Sequence, residues 1–133
     1  MLERSPFLGP VFESFIAAEI AKAQLNAGRA RALYYFRDRQ GLEVDFVVPS
    51  GPASLTLVEA KASRTVQPAD ARSLERLSSA VSGYETRSFV VHRSGPARLA
   101  ATGLGAGARA VTPEDLLAAI AVRTSSRKAP APG

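Results

Sequence analysis

Two acids and a lysine carry the chemistry open to this chain of 133 residues: Asp45 is followed, after thirteen intervening residues, by Glu59-Ala60-Lys61. Both acids lie in apolar runs, "LEVDFVV" and "SLTLVEAKAS", which read as strands joined by a Pro/Gly-rich turn, "PSGPAS". Side chains alternate along a strand, so Leu55, Leu57, Glu59 and Lys61 share one face while Thr56, Val58, Ala60 and Ala62 share the other. A hairpin symmetric about Pro52 sets Asp45 directly across from Glu59. Facing positions are about 4.5–5.5 Å apart at the β-carbons, and like charges there are destabilising. At an effective dielectric near 20 the repulsion is about 3 kcal/mol. It is relieved by a shared proton, a neighbouring Arg or Lys, or a divalent cation. Two carboxylates, a backbone carbonyl and water are the hard oxygen ligands that Mg²⁺ prefers. Lys61, on the face of Glu59, then points at the same place. The plainer alternative is two half-solvated acids at strand ends that pair with Lys61 or Arg37.

Lys61 stands out against the composition. The 17 basic residues comprise 14 Arg and only Lys22, Lys61 and Lys128, so a lysine marks a position where arginine does not serve equally well. Glu13 lies beside the apolar stripe of the first predicted helix. Glu19 falls inside that stripe and is expected to meet an arginine such as Arg31. Tyr34 and Tyr35 are expected in the core. His92, the only histidine, ends a predicted strand, and a lone histidine gives Ser-His-Asp chemistry no independent support.

The elements that must position these residues follow from periodicity. "VFESFIAAEIAKAQLNAG" places Phe12, Phe15, Ile16, Ile20 and Ala23 on one helical face, with Gly28 as the stop. "RALYYFRDR" is β-like, and "RQG" turns it into the Asp45 strand. Pro68 opens a helix through "ADARSLERLSSAVS" with Leu74, Leu77 and Val81 at helical spacing. "TRSFVVHR" is a further strand. "TPEDLLAAIAV" begins a helix with Thr112 as N-cap, Pro113 at the first position and acids in the first turn. "ATGLGAGARA" lacks the Gly-Lys-Ser/Thr of a phosphate loop and reads as an ordinary loop. The order helix, three strands, helix, strand predicts an α/β sandwich, a single domain over residues 1–122, with a disordered basic tail over 123–133.

Composition bounds the function. Hydrophobic residues at 46% and charged residues at 22% are ordinary for a globular domain. With no cysteine, disulfides and thiolate metal sites are excluded. The polar start "MLERSPFLGP" does not read as a signal peptide and no run approaches the ~18 apolar residues of a membrane helix, so the expectation is a cytoplasmic protein without membrane contact. The net charge of +5 suits a polyanionic partner.

Asp45, its spacing to Glu59-Ala60-Lys61, and the predicted element order resemble the PD-(D/E)XK, or restriction-endonuclease-like, superfamily, whose core runs αβββαβ. "GPVFESFIAAEI", "LYYFRDRQGLEVDFVV" and "LVEAKAS" resemble more specifically the C-terminal domain of a large family of uncharacterised prokaryotic AAA-type ATPases, over about residues 9 to 92. The resemblance implies a restriction-endonuclease-like sandwich with a mixed central sheet flanked by helices. It also implies hydrolysis of phosphodiester bonds, in DNA more than RNA, with Mg²⁺ or Mn²⁺ as cofactor. In that scheme Asp45, Glu59 and the Ala60 carbonyl bind the ion, and Lys61 orients or helps deprotonate the attacking water. Glu13 completes the outer shell and Arg37 holds a substrate phosphate. A P-loop ATPase, preceding or separate, is the implied partner; no Gly-x4-Gly-Lys-Ser/Thr occurs here, so ATP hydrolysis is not expected of this chain. The rival expectation is a non-catalytic module that binds nucleic acid or docks on such an ATPase.

Overall fold

The computed structural model describes residues 7–93, 102–103 and 107–126. Helix α1 spans Leu8–Asn26, strands β1 to β3 span Tyr34–Arg37, Glu43–Gly51 and Ser54–Lys61, and a 3-10 turn at Pro68–Ala71 leads into α2, Arg72–Ala80. Strand β4 is Glu85–His92, β5 Thr102–Gly103, β6 Ala108–Val111, and α3 Pro113–Ser126. The six strands form one mixed sheet in the order β1-β2-β3-β4-β6-β5. β1, β2 and β3 run antiparallel, β4 and β6 join parallel, and β5 is antiparallel to β6. The expected αβββαβ order is present, and the C-terminal β5, β6 and α3 extend it.

Both faces of the sheet are covered. Phe12, Ile16 and Ile20 of α1 and Leu116 and Ile120 of α3 pack against Phe46, Val48, Val58 and Val91. Leu74 and Leu77 of α2 pack on the opposite face against Val44, Leu57 and Val90. β3 therefore has two sides, as its alternation requires: Val58, Ala60 and Ala62 meet α1 and α3, while Leu55 and Leu57 meet α2.

The local signals in the sequence act as their chemistry demands. Gly28 follows α1 at φ +74°, a left-handed conformation that favours glycine. Thr112 caps α3 by accepting the Asp115 N–H at 3.3 Å. Asp38 accepts the N–H groups of Gln40 and Leu42, each at 2.9 Å, and closes the turn into β2. The buried Gln24 holds the chain leaving α1: it donates to the Ala32 carbonyl at 2.8 Å and accepts the Ala32 N–H at 3.1 Å.

Several expectations are corrected. Phe15 is 47% exposed, outside the stripe formed by Phe12, Ile16 and Ile20, which is narrower than the run of apolar residues. Tyr34 and Tyr35 are 59% and 55% exposed, not in the core, because β1 is an edge strand. Glu19 meets Lys22 one turn along α1 at 2.7 Å, not Arg31. The Gly-rich stretch is not simply a loop: Thr102–Gly103 and Ala108–Val111 are strands, and β6 continues the sheet beside β4. α3 runs to Ser126, into the stretch read as tail; residues 127–133 of that expectation lie outside the described residues.

Candidate metal and phosphate site

The hairpin that brings the two acids together contains two irregularities. Gly51 pairs with Ser54 around a two-residue tip, Pro52-Ala53, and the register shifts between Gly51 and Pro49, which pairs with Leu55. The shift restores the pairing that a turn centred on Pro52 would give, so Phe46 lies opposite Val58. A second shift sits on the other side of β2. Tyr34 pairs with Val47 but Phe36 with Val44, so β2 carries an extra residue at Asp45–Phe46, a β-bulge. Bulges bend a strand and re-aim its side chains.

The β2–β3 ladder runs no further than Phe46 and Val58. Beyond it, carboxylates take over the role of peptide groups. The Asp45 N–H donates to Glu59 Oε1 at 3.1 Å, and the Ala60 N–H donates to Asp45 Oδ2 at 2.9 Å. Ser73 of α2 donates its hydroxyl to Glu59 Oε2 at 3.2 Å. Asp45 and Glu59 are thus cross-strand neighbours, as the spacing predicts, each tied to the opposite strand.

Their electrostatics retain the predicted conflict. Burial pushes the Glu59 carboxyl up to about 7, helped by the charge of Asp45 and only partly opposed by the hydrogen bonds from Asp45 N–H and Ser73. Asp45 is also raised, by burial first, against the hydrogen bonds from Ala60 and Glu59. Glu13 is raised by burial first and then by the charges of Asp45 and Glu43. Among the described residues neither Asp45 nor Glu59 is in an ion pair with a basic side chain.

Lys61 takes a different partner. Its Nζ donates to Asp70 Oδ1 at 2.7 Å. Asp70 also closes a capping box with Gln67, accepting the Gln67 N–H at 2.8 Å. Burial opposes ionisation of Asp70, but the Gln67 and Lys61 contacts outweigh it and hold the carboxyl below its ordinary value. Glu59, Lys61 and Asp70 nonetheless line one cavity of about 450 Å³ between the sheet and α2, with Glu43, Arg72 and Arg76. Ala60 lines it too, whereas Asp45, Glu13 and Arg37 do not: Asp45 reaches the rim only through its contacts with Glu59 and Ala60, and Arg37 Nε lies 3.5 Å from Glu43 Oε1, the oxygen to which the Tyr35 hydroxyl also donates. His92, opposite Lys61 in the β3–β4 register, is 2% exposed with Nδ1 at 2.8 Å from the Arg93 carbonyl oxygen.

Sequence reasoning missed Asp70, Ser73, Arg72 and Arg76. A usable signal existed: Leu74 and Leu77 mark the buried stripe of α2, and residues flanking it on the N-terminal turn necessarily face the end of β3.

Among the described residues, no group of three or more His, Cys, Asp or Glu side chains is arranged to hold a metal ion. Two carboxylates do fit Mg²⁺, which keeps several waters and commonly binds through one or two carboxylates plus substrate phosphate. Among the described residues, no helix is long and apolar enough to cross a membrane. None of the curated proteins and none of the solved structures matches the chain. Residues 8–101, which contain α1 through β4 and every residue of the site, match a family described as a domain of unknown function, DUF4143, and the chain belongs to that family.

Proposed function

We propose that this domain hydrolyses phosphodiester bonds of nucleic acid, DNA more than RNA, with Mg²⁺ or Mn²⁺ held by Asp45 and Glu59. The observation that carries the reading is the fork itself: two adjacent carboxylates, both raised by burial and Glu59 also by the charge of Asp45, with neither in an ion pair among the described residues. Such a pair favours a proton or a hard cation. A bound ion would polarise the scissile phosphate and stabilise its growing negative charge. Asp45 and Glu59 would supply carboxylate oxygens and Ala60 its carbonyl, while Glu13 adds negative charge from α1. Lys61 would orient the attacking water, anchored by Asp70 so that its donors stay at the cavity wall. Arg37, held by Glu43, would meet a phosphate only outside the cavity.

The resemblance to PD-(D/E)XK nucleases agrees with the αβββαβ order, and the resemblance to ATPase-associated domains names a P-loop ATPase as the partner. The test is incubation of the full chain with single-stranded, duplex and branched DNA, with Mg²⁺, with Mn²⁺ and with EDTA. Metal-dependent cleavage lost in Glu59→Gln and Lys61→Ala is expected; cleavage equal in Lys61→Ala, or none with either metal, rejects the hydrolytic reading.

The Lys61–Asp70 ion pair favours a second reading, a non-catalytic module on the same scaffold. A lysine already satisfied by a carboxylate is what a structural role requires. Salt-sensitive DNA binding that is indifferent to metal and to Asp45→Asn is the outcome that selects it.

A further inference from the structure

Arg72 opens α2, Arg76 follows one turn later, and both line the cavity that holds Glu59 and Lys61. Both are exposed. Neither is in an ion pair among the described residues, whereas Lys22, Arg37 and Lys61 each have an acidic partner. Four residues of α-helix advance about 6 Å along the axis. Two long guanidinium side chains at that offset suit successive phosphates of one strand better than a single small anion. The same cavity carries Glu43, Glu59 and Asp70, which repel a free anion that settles deep inside it. A strand lying over the arginine rim escapes most of that repulsion, since only one of its phosphates comes down to the acids.

We infer that Arg72 and Arg76 form a track for a single nucleic acid strand, gripping consecutive phosphates while the neighbouring phosphate reaches Glu59 and Lys61. This rests on the proposed phosphodiester chemistry and adds to it the path and the single-stranded state of the substrate. A cavity of about 450 Å³ lies in the small-ligand range of roughly 300–1,000 Å³. It admits a nucleotide-sized segment but not a double helix. Among the described residues no aromatic side chain lines it, so bases find no stacking platform and the grip is on phosphates, independent of base sequence.

The test is fluorescence anisotropy of the full chain with a labelled oligothymidylate in EDTA, where hydrolysis is blocked, over a NaCl series. Each phosphate contact on a single strand contributes about 0.7 to the slope of log K against log salt, so Arg72→Gln with Arg76→Gln lowers the slope by about 1.4. A charge-matched double, Arg31→Gln with Arg109→Gln, both exposed and outside the cavity, lowers it by less than half as much. Thermal melts that match the parent confirm that both doubles fold. Equal slopes in the two doubles, no binding by the parent chain, duplex competing as well as single strand, or a mononucleotide displacing the strand at equal phosphate concentration each overturns the inference. Strand binding through these arginines without metal-dependent cleavage upholds the track and removes the hydrolytic reading. Cleavage with an unchanged slope in the Arg72/Arg76 double does the reverse.

Discussion

Asp45 and Glu59 are joined through the main chain: the Asp45 N–H donates to Glu59 Oε1 at 3.1 Å, just past the last ladder pair, Phe46 and Val58. Two acids that repel are held together because each carboxylate also satisfies a peptide N–H, the Ala60 N–H in the case of Asp45. The arrangement fixes where charge accumulates and predicts how it responds to pH, metal and mutation.

Stability should fall as pH rises through the titration of Glu59. Its folded-state value is about 7 against an ordinary 4.5, so between those values the folded chain binds more protons than the unfolded one, and stability present at pH 4.5 is lost toward pH 7. Asp45 is raised too and acts in the same direction. The loss is about 1–3 kcal/mol, the lower figure allowing for solvent that still reaches a mostly buried carboxyl. Urea melts at pH 5 and 7.5 measure it, and in Glu59→Gln most of the difference should vanish.

A divalent cation should reverse that loss. At pH 7.5, Mg²⁺ at about tenfold its dissociation constant stabilises a one-site protein by about 1.4 kcal/mol. A rise in thermal midpoint with Mg²⁺ but not with matched NaCl is expected, and Asp45→Asn should abolish it. An identical rise in Asp45→Asn would place the ion elsewhere.

Lys61 and Asp70 separate anchoring from chemistry. Asp70→Asn removes the ion pair but leaves a side-chain oxygen for the Gln67 N–H, so a half-exposed contact is lost at about 0.5–1 kcal/mol. Lys61→Ala should cost a similar amount in a denaturant melt. On the proposed hydrolytic reading, Lys61→Ala abolishes metal-dependent cleavage while Asp70→Asn weakens it without abolishing it, because Asp70 acts there by anchoring Lys61.

The inner face of α1 is tested by two truncations. Ile16 is 1% exposed in the core, and Ile16→Ala should destabilise by about 2–5 kcal/mol. Phe15 is 47% exposed, and Phe15→Ala should cost about 1 kcal/mol or less despite the larger side chain. Equal losses would mean that Phe15 is covered in solution.

Gly28 isolates a backbone effect. A β-carbon there meets nothing within 4 Å, yet φ is +74°. Gly28→Ala should therefore destabilise by about 1 kcal/mol through conformation alone, read as a shift in urea midpoint without a change in slope.

The sequence by itself determined the helices that border the sheet, the alternation of β3, and the opposition of Asp45 and Glu59. Each rests on periodicity or turn chemistry between residues close in the chain. Phe12, Ile16 and Ile20 recur at helical spacing, and the tip around Pro52 lies between two apolar runs. The acid pairing was legible although the turn is built differently, because the shift near Ser50 cancels the altered tip. Only the tertiary structure decided what faces the acids. The bulge at Asp45–Phe46 depends on pairing with β1, the partner of Lys61 comes from the 3-10 turn, and Ser73, Arg72 and Arg76 arrive on α2. β6 likewise joins β4 from a stretch whose composition reads as loop, and Tyr34 and Tyr35 are exposed because their strand has no outer neighbour. These outcomes depend on which elements pack together across the sheet, and side-chain spacing along one segment carries no information about its neighbour.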